Sequence, residues 1–143
     1  MKRIKQLQSL SKDHHLSLVL AKKCKSINIA DDREGAEVLS LRLQSDFDTL
    51  LRKHFRLEEN LIFTIAQTKG ENIKKLCQQL EQEHKRLEEM TDAISKGNYQ
   101  LLVEFGELLH DHTRLEERQL FPMIEEQFTM QELDAVLSEH KIE

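Results

Sequence analysis

From residue 4 to residue 127 the chain repeats one pattern four times. Apolar residues recur at helical spacing, and midway along each stretch the apolar face carries a histidine. The first face, within about 4–27, is Leu7, Leu10, His14, Leu18 and Ala21. The second, within about 36–67, is Leu43, Phe47, Leu50, His54, Glu58, Leu61 and Ile65. The third, within about 71–95, is Ile73, Leu76, Leu80, His84, Leu87, Thr91 and Ile94. The fourth, within about 98–127, is Leu101, Phe105, Leu108, His112, Glu116, Leu120 and Met123. One proline and four glycines in 143 residues are too few breakers for an all-β or loop-rich fold.

Short breaks separate the stretches: "NIADDREG" at 28–35, "TKGEN" at 68–72 and "SKGN" at 95–98. Gly106 falls inside the fourth pattern and reads as a tolerated or close-packing glycine. Thr129 and Glu132 have capping-box spacing, which starts a last short helix. Short loops favour antiparallel neighbours. The expectation is an all-α chain: an antiparallel up-down-up-down four-helix bundle with a short fifth C-terminal helix, in a single domain over 1–143.

The net charge of −5 and the lack of a basic stripe argue against nucleic acid as a partner. No apolar run reaches membrane-spanning length, and the N-terminus lacks the apolar stretch of a signal peptide, so a cytoplasmic setting is expected. Cys24 and Cys77 lack zinc or redox spacing. On parallel helices they would sit roughly 25 Å apart along the bundle at ~1.5 Å of rise per residue, far beyond bridging distance.

In an antiparallel bundle, residues equidistant from a turn lie at one height. The midpoints of His14 and His54, of His54 and His84, and of His84 and His112 fall at 34, 69 and 98, each on a break. The four histidines should therefore share one interior layer. Glu58 and Glu116 each lie one turn beyond a histidine on helices that run the same way, so they should meet across that layer. Four imidazoles and two carboxylates in a dry core are costly unless neutralised, paired or bound to metal. Histidine with glutamate suits iron, manganese or zinc, and two carboxylates between two sets of histidines can bridge two cations.

Several polar residues stand beside this set. "DHH" offers His14 and His15, and helical phase favours His14. Glu88 lies one turn after His84 and could ligate or face solvent. Glu59, Glu89 and Glu117 follow the buried face by one residue and are expected to be solvated or paired with Arg and Lys. His110 is expected to be exposed, and His140 to sit near a frayed end.

The succession "DHH", "HFRLEEN", "EHKRL" and "HTRLEERQLFP" resembles the hemerythrin-like, or HHE cation-binding, domain over about residues 8–127. The resemblance implies a four-helix bundle around a non-haem di-iron centre. Its ligands would be His14, His54, Glu58, His84, His112 and Glu116, with Glu58 and Glu116 bridging two ions. Oxygen-carrying hemerythrins take two histidines, four apart, from the third helix. Here the neighbours of His84 at that spacing are Leu80 and Glu88, so one ion would have a ligand fewer unless Glu88 supplies it.

The leading expectation is a metal-binding module that holds two iron ions and binds or senses oxygen, peroxide or another small oxidant. Zinc or manganese is the alternative metal. The rival functions are a redox enzyme or iron donor, metal storage, and a structural bundle with incidental histidines. Apolar surface on the second and fifth helices could pair two copies, and any signal would pass through a protein partner.

Overall fold

A computed structural model describes residues 3–142, with side chains through His140. Among the described residues there are five helices and no strand. Helix α1 is Lys5–Ser26 and α3 is Glu71–Ser95, both α-helical throughout. Helix α2 spans 33–69. It comprises the α-helical segments Arg33–Asp46, Arg52–Leu57 and Phe63–Ala66, the π-helical segments Phe47–Leu51 and Glu58–Ile62, and a closing 3-10 turn at Gln67–Lys69. Helix α4 spans 99–127, from a 3-10 turn at Tyr99–Leu101 through Leu102–Leu115, a π-helical segment at Glu116–Leu120, and Phe121–Gln127. Helix α5 is Met130–Ile142. No helix among these residues is long and apolar enough to cross a membrane.

The helix ends follow local chemistry. The Asp32 side chain accepts a hydrogen bond from the Gly35 amide at 2.8 Å and caps α2. Helix α2 thus starts at Arg33, inside the stretch whose glycine suggested a break. Gly70 and Gly97, at φ +140° and +103°, make the turns on either side of α3 with backbone that side chains disfavour. Thr129 and Glu132 form the expected reciprocal capping box, at 2.9 and 3.1 Å.

The core consists of two apolar clusters. One gathers Leu7, Leu10, Ile62, Phe63, Leu80, Phe121 and Phe128 with Leu133 and Val136 of α5. The other gathers Leu20, Ala21, Leu43, Phe47, Phe55, Leu87, Phe105 and Leu109. The expected face of α3 is buried from Ile73 to Ile94 without exception. On α2 the face slips by one residue: Leu50, Leu61 and Ile65 are half-buried, while Leu51, Ile62 and Ala66 are buried. The slips coincide with the two π turns, where the wider turn displaces the face by one position, while His54 and Glu58 keep their expected places. On α4, Leu102, Leu109 and Ile124 are buried in place of Leu101, Leu108 and Met123, and on α1 Leu18 is half-buried beside Ser17 and Leu20.

Each π segment closes on a hydrogen bond to a carbonyl five residues back: Arg52 to Phe47, Phe63 to Glu58, and Phe121 to Glu116. In α4 an ordinary turn would set the Pro122 ring against the Arg118 carbonyl. The wide turn relieves that conflict.

Gly106 is a close-packing residue. A Cβ there would lie 2.7 Å from the Ala21 carbonyl oxygen and 2.8 Å from the Lys25 amide nitrogen, both backbone atoms of α1. Gly106→Ala is therefore expected to lower stability by ~1–3 kcal/mol despite alanine's better helix propensity. Urea titration should show a lower midpoint with an unchanged slope. Cys24 and Cys77 are free and buried, one in each apolar cluster. Burial, with nearby carboxylate charge, pushes both thiols up to about 12. A thiol-labelling reagent at pH 8 should modify neither in the native protein and both after unfolding.

Candidate metal centre

The layer between the two apolar clusters is polar. His14 of α1, His54 of α2, His84 of α3 and His112 of α4 are each at most 4% exposed, and Glu58 and Glu116 are fully buried. The rings of His14 and His54 have centroids 4.8 Å apart, as do those of His84 and His112. The Nε2 atoms of His14 and His54 lie 3.1 Å from each other. The common layer expected from the turn midpoints is therefore present.

Each glutamate extends one oxygen toward each histidine pair. Glu116 Oε1 lies 2.7 Å from His14 Nε2 and 3.7 Å from His54 Nε2, while its Oε2 lies 3.4 Å from His112 Nε2. Glu58 Oε2 lies 3.4 Å from His54 Nε2, and its Oε1 lies 3.0 Å from His84 Nε2. The donor atoms of His14, His54, Glu58 and Glu116 all fall within 4.8 Å of one another, and so do those of Glu58, His84, His112 and Glu116. All four glutamate oxygens, with Nε2 of His84 and of His112, are buried without a hydrogen-bond partner. Such atoms normally cost ~1–3 kcal/mol each. Six of them converging in one dry layer fit a pair of cations.

The outward nitrogens of the four rings are all satisfied by carboxylates. His14 Nδ1 meets Glu117 at 2.6 Å, His84 Nδ1 meets Glu59 at 2.6 Å, His112 Nδ1 meets Glu83 at 2.7 Å, and His54 Nδ1 meets Asp13 at 3.1 Å. This corrects the expectation for Glu59 and Glu117, which serve imidazoles rather than Arg or Lys. Glu89 is exposed as expected. The contacts repeat when α1 is exchanged with α3 and α2 with α4: an acid precedes the histidine of α1 and α3, and an acid follows the buried glutamate of α2 and α4. That duplication was visible in "DH" at 13–14, "EH" at 83–84 and the "LEE" triplets at 57–59 and 115–117. A carboxylate on the outer nitrogen fixes the tautomer, aims Nε2 inward and strengthens it as a donor.

Aromatic rings close the layer. Phe55 stacks on His84 at 3.9 Å, Phe63 lies 5.7 Å from the same ring, and Phe121 stacks on His14 at 5.0 Å.

The electrostatics are those of a cation site. Burial opposes the charged form of every imidazole here, yet the carboxylates prevail. His14 and His84 are raised, His54 is raised well above its ordinary value, and His112 reaches about 10, chiefly through the Glu116 charge. Burial likewise opposes the Glu116 carboxylate, but His112 holds it well below the usual range. The carboxylates thus favour positive charge in the layer, which is the charge a metal would also supply.

The remaining candidates lie elsewhere. His15 is exposed. Glu88 is exposed and pairs with Arg52 at 2.9 Å, so it does not join the layer. Leu80 is fully buried in the apolar cluster. His110 is partly covered rather than open, with its ring beside Asp111. His140 is held, not frayed: its Nε2 lies 2.9 Å from Asp13 Oδ2.

No curated protein and no solved structure matches the chain. The family model described as "Hemerythrin HHE cation binding domain" matches residues 6–124, a span that contains all six buried donors. The chain belongs to the hemerythrin HHE cation-binding domain family.

Proposed function

We propose that this chain holds two metal ions, with iron the expected metal, and that it binds or senses oxygen or a related small oxidant. His14 and His54 would hold one ion, His84 and His112 the other, and Glu58 and Glu116 would bridge them. The surrounding helices would form an antiparallel four-helix bundle in a single domain, in a cytoplasmic setting. The observation that carries this reading is the division of each buried glutamate between the two histidine pairs. Family membership supports iron, while the donor set alone also suits zinc or manganese.

A di-iron pair, when bound, would supply redox chemistry toward a small oxidant. The chain's own residues orient the donors, through the four outer carboxylates, and exclude water, through Phe55, Phe63, Phe121 and the two apolar clusters. With Glu88 on the surface and Leu80 in the core, the third helix offers a single donor. That shortage favours an open coordination position. Complete burial of the glutamates favours reactants the size of oxygen, peroxide or nitric oxide over an organic substrate. Surface cavities of about 670 and 570 Å³ are lined by none of the six donors.

Elemental analysis of protein from iron-replete cells should give two iron ions per chain. A broad near-ultraviolet band that bleaches on reduction should accompany them, and His84→Ala should lose at least one ion. Near-zero metal in the wild type would overturn the proposal. Stripping the metal should lower the melting temperature by roughly 5–10 °C, from a linkage term of ~3 kcal/mol at a hundredfold excess over Kd. Equal melting of both forms would count against metal in this layer. Glu59→Gln and Glu117→Gln should each weaken metal retention against a chelator by roughly 10–100-fold.

A further inference from the structure

Helix α5 lies beyond the residues that carry the family match, yet it touches the metal layer. Leu133 and Val136 anchor it in one apolar cluster. Lys69 meets Glu132 at 2.8 Å, and Gln6 Nε2 donates to Asp134 Oδ1 at 3.1 Å. From there α5 runs along the bundle until His140, in its last described turn, reaches Asp13. The result is a chain of contacts: His140 Nε2 to Asp13 Oδ2 at 2.9 Å, and the same oxygen to His54 Nδ1 at 3.1 Å.

The other three outer carboxylates are served differently. Glu83 accepts from Gln79, one turn away on its own helix, at 3.0 Å. Glu117 accepts from Ser11 of α1 at 3.0 Å. Glu59 has no further side-chain partner among the described hydrogen bonds. Among the described residues, only Asp13 accepts a side-chain hydrogen bond from outside α1–α4. The outer carboxylates related by the twofold repeat are therefore held differently, and the tie from α5 falls on the side of His14 and His54.

Side-chain freedom gives this contact its consequence. Asp13 is partly exposed and borders a cavity of about 150 Å³ lined also by Thr49, Leu50, Lys53 and His140. The room around it would let its carboxylate swing away from His54 were His140 not there. A ring whose outer nitrogen loses its acceptor can rotate, and its inward nitrogen is then misaimed.

We propose that His140 is a positioning residue that, through Asp13, holds the His54 imidazole and so acts on the His14/His54 half of the centre and not on the His84/His112 half. The proposal rests on the two-metal reading above. It is tested on the full chain loaded with Co(II), whose optical bands report each ion as a chelator removes it. Wild type should release cobalt in two phases. His140→Phe keeps ring volume but loses the donor. It should speed one phase by roughly tenfold, the low end of what outer partners of metal-bound histidines are worth, and leave the other unchanged. His140→Gln, which keeps an N–H near the position of Nε2, should restore the slow rate. Glu83→Gln, which acts on His112, should speed the opposite phase. Acceleration of both phases by His140→Phe, no acceleration, or no rescue by His140→Gln overturns the role of His140. Failure of the wild type to bind two cobalt ions overturns the two-metal reading instead. Metal-free His140→Phe should melt with metal-free wild type, since a purely structural loss would appear there first.

Discussion

Two buried carboxylates, facing imidazoles and each other, set the terms for the whole molecule. Glu58 and Glu116 are sealed from water, and each divides its oxygens between two histidine pairs. A buried anion of this kind demands positive charge within a few ångströms. Everything around it can be understood as meeting that demand: four imidazoles drawn to one height, four further acids that orient them, and aromatic rings that keep the layer dry. The π turns belong to the same arrangement, because two of the three begin at these glutamates. Such turns are frequent at functional sites, where they re-aim side chains within a continuous helix.

The twofold pattern of contacts gives the layer an economy of design. An acid before histidine on one helix and an acid after glutamate on its neighbour, used twice, satisfies every outward ring nitrogen. Departures from the pattern are therefore informative. Phe55 follows His54 and lies over the His84 ring, whereas Thr113 follows His112 and turns its hydroxyl back to the Leu109 carbonyl. Two aromatic rings lie against His84, while Phe121 is the phenylalanine stacked on His14. The two halves share their donors but not their walls.

Much of this was legible in the residues alone, and the failures have physical causes. The face of α3 was read correctly at every position because that helix keeps the ideal period throughout. Parts of the α2 face, at Leu50, Leu61 and Ile65, drifted by one because a π turn leaves no simple mark in composition. The six residues of the buried layer could be grouped from the sequence because their spacing from the turns put them at one depth. Asp13, Glu59, Glu83 and Glu117 were missed because an acid beside a buried position is usually solvated, and adjacency to a histidine carries weight only once partner helices are in place. His140 could not have been found from spacing, since its contact with Asp13 spans 127 positions.

The polar layer also cuts the hydrophobic interior in two. Leu7, Phe63 and Phe121 belong to one cluster, and Leu43, Phe47 and Phe105 to the other, with the imidazoles between them. Neither half has the apolar mass of an undivided core for a chain of this length. Cooperativity must then pass through the stratum that separates them. Were that stratum tied by cations, the halves would unfold as one unit. Without them, each end of the bundle would open on its own, and amide exchange would divide into two domains of protection at the height of the histidines.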